Sequence, residues 1–182
     1  MVAAAKPLTR AALVCDAPAL AQLAETTFRE AFAHENTATD MQAYCAAHFG
    51  AAIQRAELDD PNAATFVAEV DRRLIGYAQI RWSEAPACVR GERPAELRRL
   101  YVSAAWHGSG VAQDLMRCCL DDLVQRGFDV AWLGVWERNP RAIRFYQKFG
   151  FRVVGEQNFK LGNDLQRDLV LIRSLREASG DL

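Results

Sequence analysis

Residues 95–112 read AELRRLYVSAAWHGSGVA, a β-rich run that passes through a glycine-containing turn into a helix. The residue types predict a strand over Ala95–Val102, and the apolar stripe that begins at Val111 predicts a helix. A strand that enters a helix in this way leaves several unpaired backbone N–H groups at the positive end of the helix dipole. Because Gly108 and Gly110 let the backbone approach an anion closely, this segment can hold a phosphate.

The turn lacks the residues of the two common nucleotide-binding motifs. A P-loop ends in Gly-Lys-Ser/Thr, whereas Gly110 is followed by Val-Ala-Gln. A dinucleotide-binding turn carries a third glycine where this chain has Gln113, and it belongs to an early strand–turn–helix unit. Taken alone, the turn is better explained as a plain junction between a strand and a helix than as a phosphate site.

The rest of the chain alternates between segments of helical period and segments of strand period. Before the quoted stretch, we predict a strand over Leu8–Val14, helices over Ala17–Phe32, from Thr39 and over Ala51–Leu58, a hairpin of Thr65–Val70 with Leu74–Trp82, and a loop over Ser83–Pro94. After it, we predict a helix over Val111–Gln125 closed by Gly127, a strand over Val130–Val135, a helix from Asn139-Pro140, and strands over Phe151–Val154 and Leu165–Ile172. Asp16 is the expected N-cap of the first helix, and Thr39 with Gln42 is the expected capping box of the second. No repeat or linker interrupts this order, so residues 1–182 are predicted to form a single α/β domain.

The composition excludes several classes of function. The formal net charge is −1, with acids and bases interspersed, so there is no electrostatic footprint for nucleic acid. The 5 cysteines and 3 histidines have no metal-ligand spacing, and we expect no metal. Neither a signal peptide nor an apolar run of the roughly 20 residues of a membrane span is present, so we expect no membrane partner and a cytoplasmic protein with reduced thiols.

Two blocks of sequence together resemble the coenzyme-binding motifs of the GNAT superfamily of N-acetyltransferases. In the turn, Gly110 and Ala112 match the small positions of the superfamily's Arg/Gln-x-x-Gly-x-Gly/Ala motif, whereas His107 replaces its usual Arg or Gln. Residues 139–151 carry every fixed residue of the second motif, Asn-x-x-Ala-x-x-x-Tyr-x-x-x-Gly-Phe. The resemblance implies a mixed, mostly antiparallel sheet of about six to seven strands flanked by helices, with two parallel strands that splay apart at the coenzyme site.

The resemblance also implies where acetyl-coenzyme A binds. Its pantetheine arm is expected along the strand before the turn, its pyrophosphate at the turn, and further contacts on the helix of the second motif. The implied contacts are Leu100, Tyr101, Val102, His107, Gly108, Ser109, Gly110, Val111, Ala112, Asn139, Ala142, Tyr146 and Lys148. The departure at His107 affects one side-chain contact and leaves the backbone cradle intact.

Acetyl transfer to an amine requires a neutral amine, stabilisation of the developing oxyanion and a proton for the departing thiolate. Tyr146 matches the superfamily tyrosine that often protonates the coenzyme sulfur, although its apolar neighbours also suit a purely structural residue. Glu96 is the candidate for deprotonating the amine, and a surface charge explains it equally well. Strand alternation predicts that Glu96, Arg98, Leu100 and Val102 share one face. A backbone N–H near Leu100 or Tyr101 is the expected oxyanion donor.

The predicted activity is direct acetyl transfer to a primary amine. Three segments resemble the sequences of the bacterial spermine/spermidine acetyltransferase branch, namely Thr27–Phe32, Trp132–Glu137 and Gln166–Leu169. A polyamine is therefore the leading acceptor. The helices that wall the acceptor site in the superfamily carry the acids Glu25, Glu30, Glu35, Asp40 and Glu57. A solvated helical surface also explains these acids, and Arg98 replaces an acid of the polyamine branch. A protein amino terminus or lysine is the rival acceptor, a non-catalytic coenzyme-binding module is the rival function, and homodimers are common in the superfamily.

Overall fold

The computed structural model of the protein describes residues 6–82, 84–161 and 164–176. These form one seven-stranded sheet with strand order β1-β2-β3-β4-β5-β7-β6. The strands are β1 Leu8–Ala11, β2 Ala63–Val70, β3 Arg73–Arg81, β4 Pro94–Val102, β5 Val130–Trp136, β6 Arg152–Leu161 and β7 Asp164–Ser174. The helices are α1 Ala17–Phe32, α2 Ala38–His48, α3 Ala51–Leu58, α4 Val111–Gln125 and α5 Pro140–Lys148, with short 3₁₀ turns at Val14–Asp16 and Ala104–Trp106.

One pair of neighbouring strands in this sheet is parallel. Every other neighbouring pair is antiparallel, whereas β4 and β5 pair in parallel over Pro94–Glu96 and Val130–Trp132 only. Beyond that point β4 continues to Val102 and β5 to Trp136 without pairing to each other. The predicted mixed, mostly antiparallel sheet with splayed parallel strands is therefore confirmed.

Helices cover both faces of the sheet and divide its core in two. On one face, the largest cluster of buried side chains packs α4 against the sheet, with α5 at its margin. On the other face, α1 and α2 pack their apolar residues, including Phe28 and Met41, against Val67 and Tyr77 of β2 and β3. Among the described residues, no helix has both the length and the apolar character needed to cross a bilayer.

Several element ends differ from the predictions. The first strand stops at Ala11, and Val14–Asp16 form a 3₁₀ turn. Asp16 holds the N-cap position of α1, as predicted, but its carboxylate accepts from the Leu13 N–H at 2.7 Å and makes no capping bond to the helix. Helix α2 is capped by Thr37, whose hydroxyl accepts from the Asp40 N–H at 3.1 Å, so the capping box predicted at Thr39 is wrong. The last two strands run further than predicted and pair as one long hairpin.

The predicted alternation along β4 is also wrong, because the strand contains a β-bulge. Gln79 pairs with Arg99 and Ile80 pairs with Leu97, which leaves Arg98 as the extra residue. A bulge of this kind shifts the side-chain pattern by one position. Leu97, Leu100 and Val102 consequently pack toward α4, while Arg99 and Tyr101 lie on the face of α1–α3.

Candidate active site

The separation of β4 from β5 opens a gap at the carboxyl ends of both strands. In the described chain, no pairing between them follows Glu96–Trp132, so the β4 edge at Leu100–Val102 faces the gap without a strand partner. The turn before α4 closes the end of β4, and α5 begins just after β5 ends. Ligands of open α/β sheets commonly bind at the carboxyl ends of parallel strands, and this gap is such a place.

The glycine turn has the backbone geometry of an anion cradle. Gly108 and Gly110 have φ angles of +82° and +95°, and a Cβ added at either would meet no atom within 4 Å. The Asp114 N–H makes the first bond of α4, to the Gly110 carbonyl at 3.1 Å. Since the N–H groups of the first turn of a helix have no intrahelical partner, those of Val111 and Ala112 are available beside open space. These observations fit a coenzyme pyrophosphate.

His107 binds protein groups with both of its ring nitrogens. Its Nε2 lies 2.8 Å from the Val102 carbonyl and its Nδ1 lies 3.1 Å from Nη1 of Arg141. Because a carbonyl only accepts and a guanidinium only donates, Nε2 carries the proton and Nδ1 accepts. Where the superfamily motif has a cation or an amide at position 107, this chain uses a histidine that holds the exposed Arg141 of α5 beside the turn.

The second predicted block forms α5, as expected. The Asn139 side chain accepts from the Ala142 N–H at 3.0 Å and Pro140 occupies the first turn, which confirms the predicted N-cap. Ala142 is half-buried against the core, and Lys148 is exposed in the last turn. The structure therefore brings α5 and the glycine turn to the same end of the sheet, linked by the contact between Arg141 and His107.

Tyr146 lies on the buried side of α5, where its ring is 6.0 Å from that of Phe151 and 5.5 Å from that of Phe145. Burial raises the pKa of its phenol to about 12, and proximity to Cys119 acts in the same direction. The hydroxyl has no hydrogen-bond partner within the described ranges. Tyr146 is thus partly buried against the core and stays protonated at neutral pH.

Glu96 is held by a cation in the part of β4 that is still paired to β5. Its carboxylate accepts a short hydrogen bond from Nε of Arg81, and it lies opposite Trp132 in the parallel register. The carboxylate is thus already engaged by a guanidinium on the neighbouring strand β3. The base role of Glu96 stays a prediction, and this position disfavours it.

The face of α1–α3 carries two arginines that share one carboxylate. Nη1 of Arg98 and of Arg99 lie 2.8 Å and 2.6 Å from the two oxygens of Glu57. Burial opposes ionisation of Glu57, but Arg99 and Arg98 together hold its pKa below the usual value. The guanidinium of Arg99 also lies over the Phe49 ring, 5.5 Å from its centroid. The cluster is ion-paired and carries a net positive charge.

Cysteine chemistry and metal binding gain no support from the described residues. Burial raises the pKa of Cys119 well above its usual value and raises that of Cys118, so neither thiol forms a nucleophilic thiolate readily. Within residues 6–82, 84–161 and 164–176, no group of three or more His, Cys, Asp or Glu side chains is placed to hold a metal ion.

Comparison with known proteins places this geometry in a family. The model of the acetyltransferase (GNAT) family matches residues 18–151. The chain is 35% identical over 161 residues to an uncharacterized N-acetyltransferase of Mycobacterium tuberculosis, and the match covers 88% of this chain and 98% of that protein. It is 26% identical over 160 residues to an uncharacterized N-acetyltransferase of Lactobacillus delbrueckii subsp. lactis, covering 88% and 92% of the two chains.

Solved structures with the same fold include the PaiA N-acetyltransferase of Thermoplasma acidophilum in complex with coenzyme A. That structure matches with a TM-score of 0.75 at 17% identity and covers 93% of this chain and 99% of its own. The chain therefore belongs to the acetyltransferase (GNAT) family and is an acetyl-CoA-dependent acyltransferase.

Proposed function

We propose that the protein transfers acetyl from acetyl-coenzyme A directly to a primary amine that enters the gap between β4 and β5. The observation that carries this proposal is the arrangement of three features at one end of the sheet: the unpaired edge of β4, the glycine turn and Tyr146. Each corresponds to one requirement of the reaction, namely a place for the pantetheine arm, a place for the pyrophosphate and a neutral acid.

The coenzyme is expected to bind mainly to backbone groups. Its pyrophosphate accepts from N–H groups at Gly108–Ala112, with Ser109 exposed beside it, and its pantetheine arm pairs with β4 at Leu100–Val102. Arg141 supplies a positive charge next to the turn, and Asn139 and Lys148 mark the two ends of α5. A charge-assisted contact of this kind is stronger than a neutral hydrogen bond.

In the proposed reaction, the amine nitrogen attacks the thioester carbonyl and the carbon–sulfur bond breaks. An N–H of the bulged part of β4, near Leu100 or Tyr101, stabilises the oxyanion. Tyr146 gives its phenolic proton to the departing thiolate and is reprotonated by the proton that the nitrogen loses. Its raised pKa, about 12, keeps the phenol in the required acid form.

The charges near the gap bear on the choice of acceptor. A polyamine is the acceptor that the sequence resemblance favours, and a polycation needs several free carboxylates. Three of the acids expected to serve it have partners: Glu25 pairs with Arg29 at 2.8 Å, Glu30 accepts from the Ala104 N–H at 3.2 Å, and Glu57 pairs with two arginines. We therefore rank an acceptor with one ammonium group, such as a peptide amino terminus, ahead of a polyamine.

A screen of acceptors tests the activity and the ranking. Free thiol release from acetyl-coenzyme A is followed with spermidine, spermine, peptides with a free amino terminus, and the same peptides blocked at the amino terminus but carrying lysine. Turnover on free amino termini alone supports the ranking, and turnover on polyamines alone reverses it. Binding of coenzyme A without turnover of any amine contradicts amine acetylation.

Tyr146 is tested in the same assay with the variant Tyr146→Phe, which keeps the packing of the ring. We expect kcat to fall about 100-fold or more, in the range typical of general acid catalysis, with unchanged coenzyme affinity. Phe145→Leu, a change beside it on α5, serves as the matched control for packing. Unchanged kcat in Tyr146→Phe contradicts the acid role.

A further inference from the structure

Asp168 of β7 has a buried side-chain carboxylate. It is 9% exposed, and no hydrogen bond or ion pair to it is found across residues 6–82, 84–161 and 164–176. Its oxygens are not among the fully buried unpaired atoms of the described chain, which are the Tyr77 hydroxyl and Trp132 Nε1. The carboxylate therefore keeps some contact with solvent and can meet a small ligand. Buried carboxylates normally have partners, so an unpaired one is a candidate functional group.

The backbone register places Asp168 next to the gap. Asp168 pairs with Trp136 at the end of β5, the strand whose other edge faces the gap. Its Oδ2 lies 3.2 Å from the position that a Cβ of Gly134 would occupy, so the carboxylate leans over β5. Because neighbouring strands lie about 4.8 Å apart, one strand width separates Asp168 from the gap. The space over Gly134 is shared with the Gln157 side chain, whose Nε2 lies 2.7 Å from the same Cβ position.

The walls around this carboxylate come from the acceptor side of the molecule. Gln166, on the same face of β7, donates from its Nε2 to Oδ1 of Asn36 at 2.8 Å, and this bond connects β7 to the segment after α1. The Trp136 ring lies 6.1 Å from that of Phe32 at the end of α1. Gln157 of β6 lies opposite Asp168 and also approaches Gly134. The register neighbours of Asp168 on the two adjacent strands are thus an aromatic residue, Trp136, and a neutral amide, Gln157.

The charged and titratable groups on the surrounding elements form no ion pair with Asp168 among the described residues. On α2, Tyr44 interacts electrostatically with Asp168, and its ring stacks on His48 at 4.0 Å. On β4, Arg98 and Arg99 are engaged with Glu57. Burial alone raises the pKa of Asp168 to about 6, so the group is ionised at neutral pH and is a stronger base than an exposed aspartate.

We infer that Asp168 is the residue that binds the ammonium group of the acceptor and takes its proton before acetyl transfer. This inference rests on the proposed amine acetyltransferase activity and gives that activity an acceptor subsite. It also replaces Glu96, which is held by Arg81, as the candidate base.

The bound ammonium transfers one proton to the Asp168 carboxylate and becomes a neutral amine. The nitrogen lone pair then attacks the thioester, the carbon–nitrogen bond forms and the carbon–sulfur bond breaks. The second proton lost by the nitrogen replaces the one that Tyr146 gives to the thiolate. Asp168 finally releases its proton to solvent, so each turnover yields an amide, a free thiol and one proton.

The variant Asp168→Asn tests the inference, because the amide keeps the size of the side chain and removes its charge. With the best amine among spermidine, spermine and a peptide with a free amino terminus, we expect kcat/KM to fall about 100-fold or more. The wild-type kcat/KM should rise through an acidic limb near pH 6, whereas the variant should lose that limb and rise only as the free amine forms in solution. Binding of coenzyme A, measured by calorimetry, should stay within about twofold of wild type.

Glu156→Gln is the matched control, since it makes the same chemical change at an exposed position of β6 on the same hairpin. We expect wild-type kinetics for it. If Asp168→Asn keeps kcat/KM within about threefold of wild type with an unchanged acidic limb, the assignment of Asp168 is overturned.

A second measurement separates this inference from the activity on which it rests. Carbon NMR of the labelled aspartates, in wild-type protein saturated with coenzyme A, gives the pKa of Asp168 with ethylammonium and with tetramethylammonium at equal concentration. If ethylammonium lowers the pKa of Asp168 and tetramethylammonium does not, the result supports an ammonium subsite. This holds even if the screen finds no turnover and the proposed function fails. Equal pKa values with the two cations contradict the subsite even where the screen finds an active enzyme.

Discussion

At the scale of single residues, the glycine turn acquires its positive charge from another element. His107 binds both the Val102 carbonyl and Arg141. The residue at the motif position therefore orients the positive charge of Arg141 on α5 and does not supply a positive charge itself. The motif alone could not predict this, because Arg141 lies 34 positions away in sequence and reads as one of several solvated charges on α5. Only the fold brings it to the turn.

We predict that Arg141→Gln raises the KM for acetyl-coenzyme A about tenfold and leaves kcat nearly unchanged. The loss of one charge-assisted phosphate contact, about 1.5 kcal/mol, gives this factor. The measurement is steady-state kinetics with varied acetyl-coenzyme A at low salt, together with calorimetry of coenzyme A binding. Arg144→Gln, an exposed charge on the same helix, is the control, and equal effects of the two substitutions would assign the change to net charge alone.

Burial of the Asp168 carboxylate also has a consequence for stability. Its native pKa is raised, so ionisation costs the folded state free energy above pH 6, and the cost disappears as the pH falls toward 4, where the native carboxyl is protonated. We predict that Asp168→Asn stabilises the protein at pH 8, by at most about 3 kcal/mol, and that the gain shrinks toward zero near pH 4. Urea unfolding of both proteins at pH 4, 6 and 8 measures it. A variant less stable than wild type at pH 8 would show that the carboxylate has a stabilising partner.

At the scale of elements, local signals in the sequence predicted the helices better than the faces of the strands. The Asn139-Pro140 start of α5 was predicted because N-cap and first-turn preferences are local. The predicted cap of α2 is wrong by two positions, because two threonines suit a capping box: Thr37 is followed three residues later by an acid, and Thr39 by an amide. Only Thr37 has the extended backbone of a cap residue.

The bulge in β4 could not be predicted from the strand that contains it. Bulges depend on the register with a neighbouring strand, and here the shift lies between Gln79 and Ile80 of β3. The coenzyme half of the site was within reach of sequence reasoning because it is built from contiguous motifs. Asp168 was out of reach as a site residue, because its approach to Gly134 joins two strands that are distant in sequence.

In the turn before α4, glycine is required because the backbone has a positive φ angle, and not because a side chain would clash with a neighbour. We predict that Gly110→Ala destabilises the protein by about 1–2 kcal/mol, because an L-residue at φ +95° is strained, and that coenzyme binding weakens as the turn shifts. Gly50→Ala is the matched control: its φ of 168° suits any residue, and a Cβ there would meet Ile53 at an ordinary 3.8 Å. Thermal unfolding and coenzyme A calorimetry report the two effects. Wild-type stability in Gly110→Ala would contradict the left-handed conformation of this residue.

At the scale of the whole molecule, the two faces of the sheet carry different parts of the proposed site. The face of α4 and α5 carries the glycine turn and Tyr146, while the face of α1–α3 carries the paired arginines and Asp168. The two meet at the gap between β4 and β5, where the sheet is open. The ion pairs of Glu57 tie α3 to β4 and hold the acceptor side against the strand that forms the gap.

We predict that Glu57→Gln destabilises the protein by about 2 kcal/mol at pH 7. This is less than the ~3–5 kcal/mol typical when a fully buried ion pair is broken, because Arg98 keeps some contact with solvent. The lowered pKa of Glu57 makes this contribution complete above pH 4.5 and removes it as the pH falls through the native pKa. The difference from wild type in urea unfolding should therefore shrink in acid. Glu156→Gln, which breaks an exposed pair with Arg167, should cost less than about 0.5 kcal/mol at either pH. A pH-independent loss in Glu57→Gln would mean that the side chain acts through packing, and the two faces would then be joined by the apolar core alone.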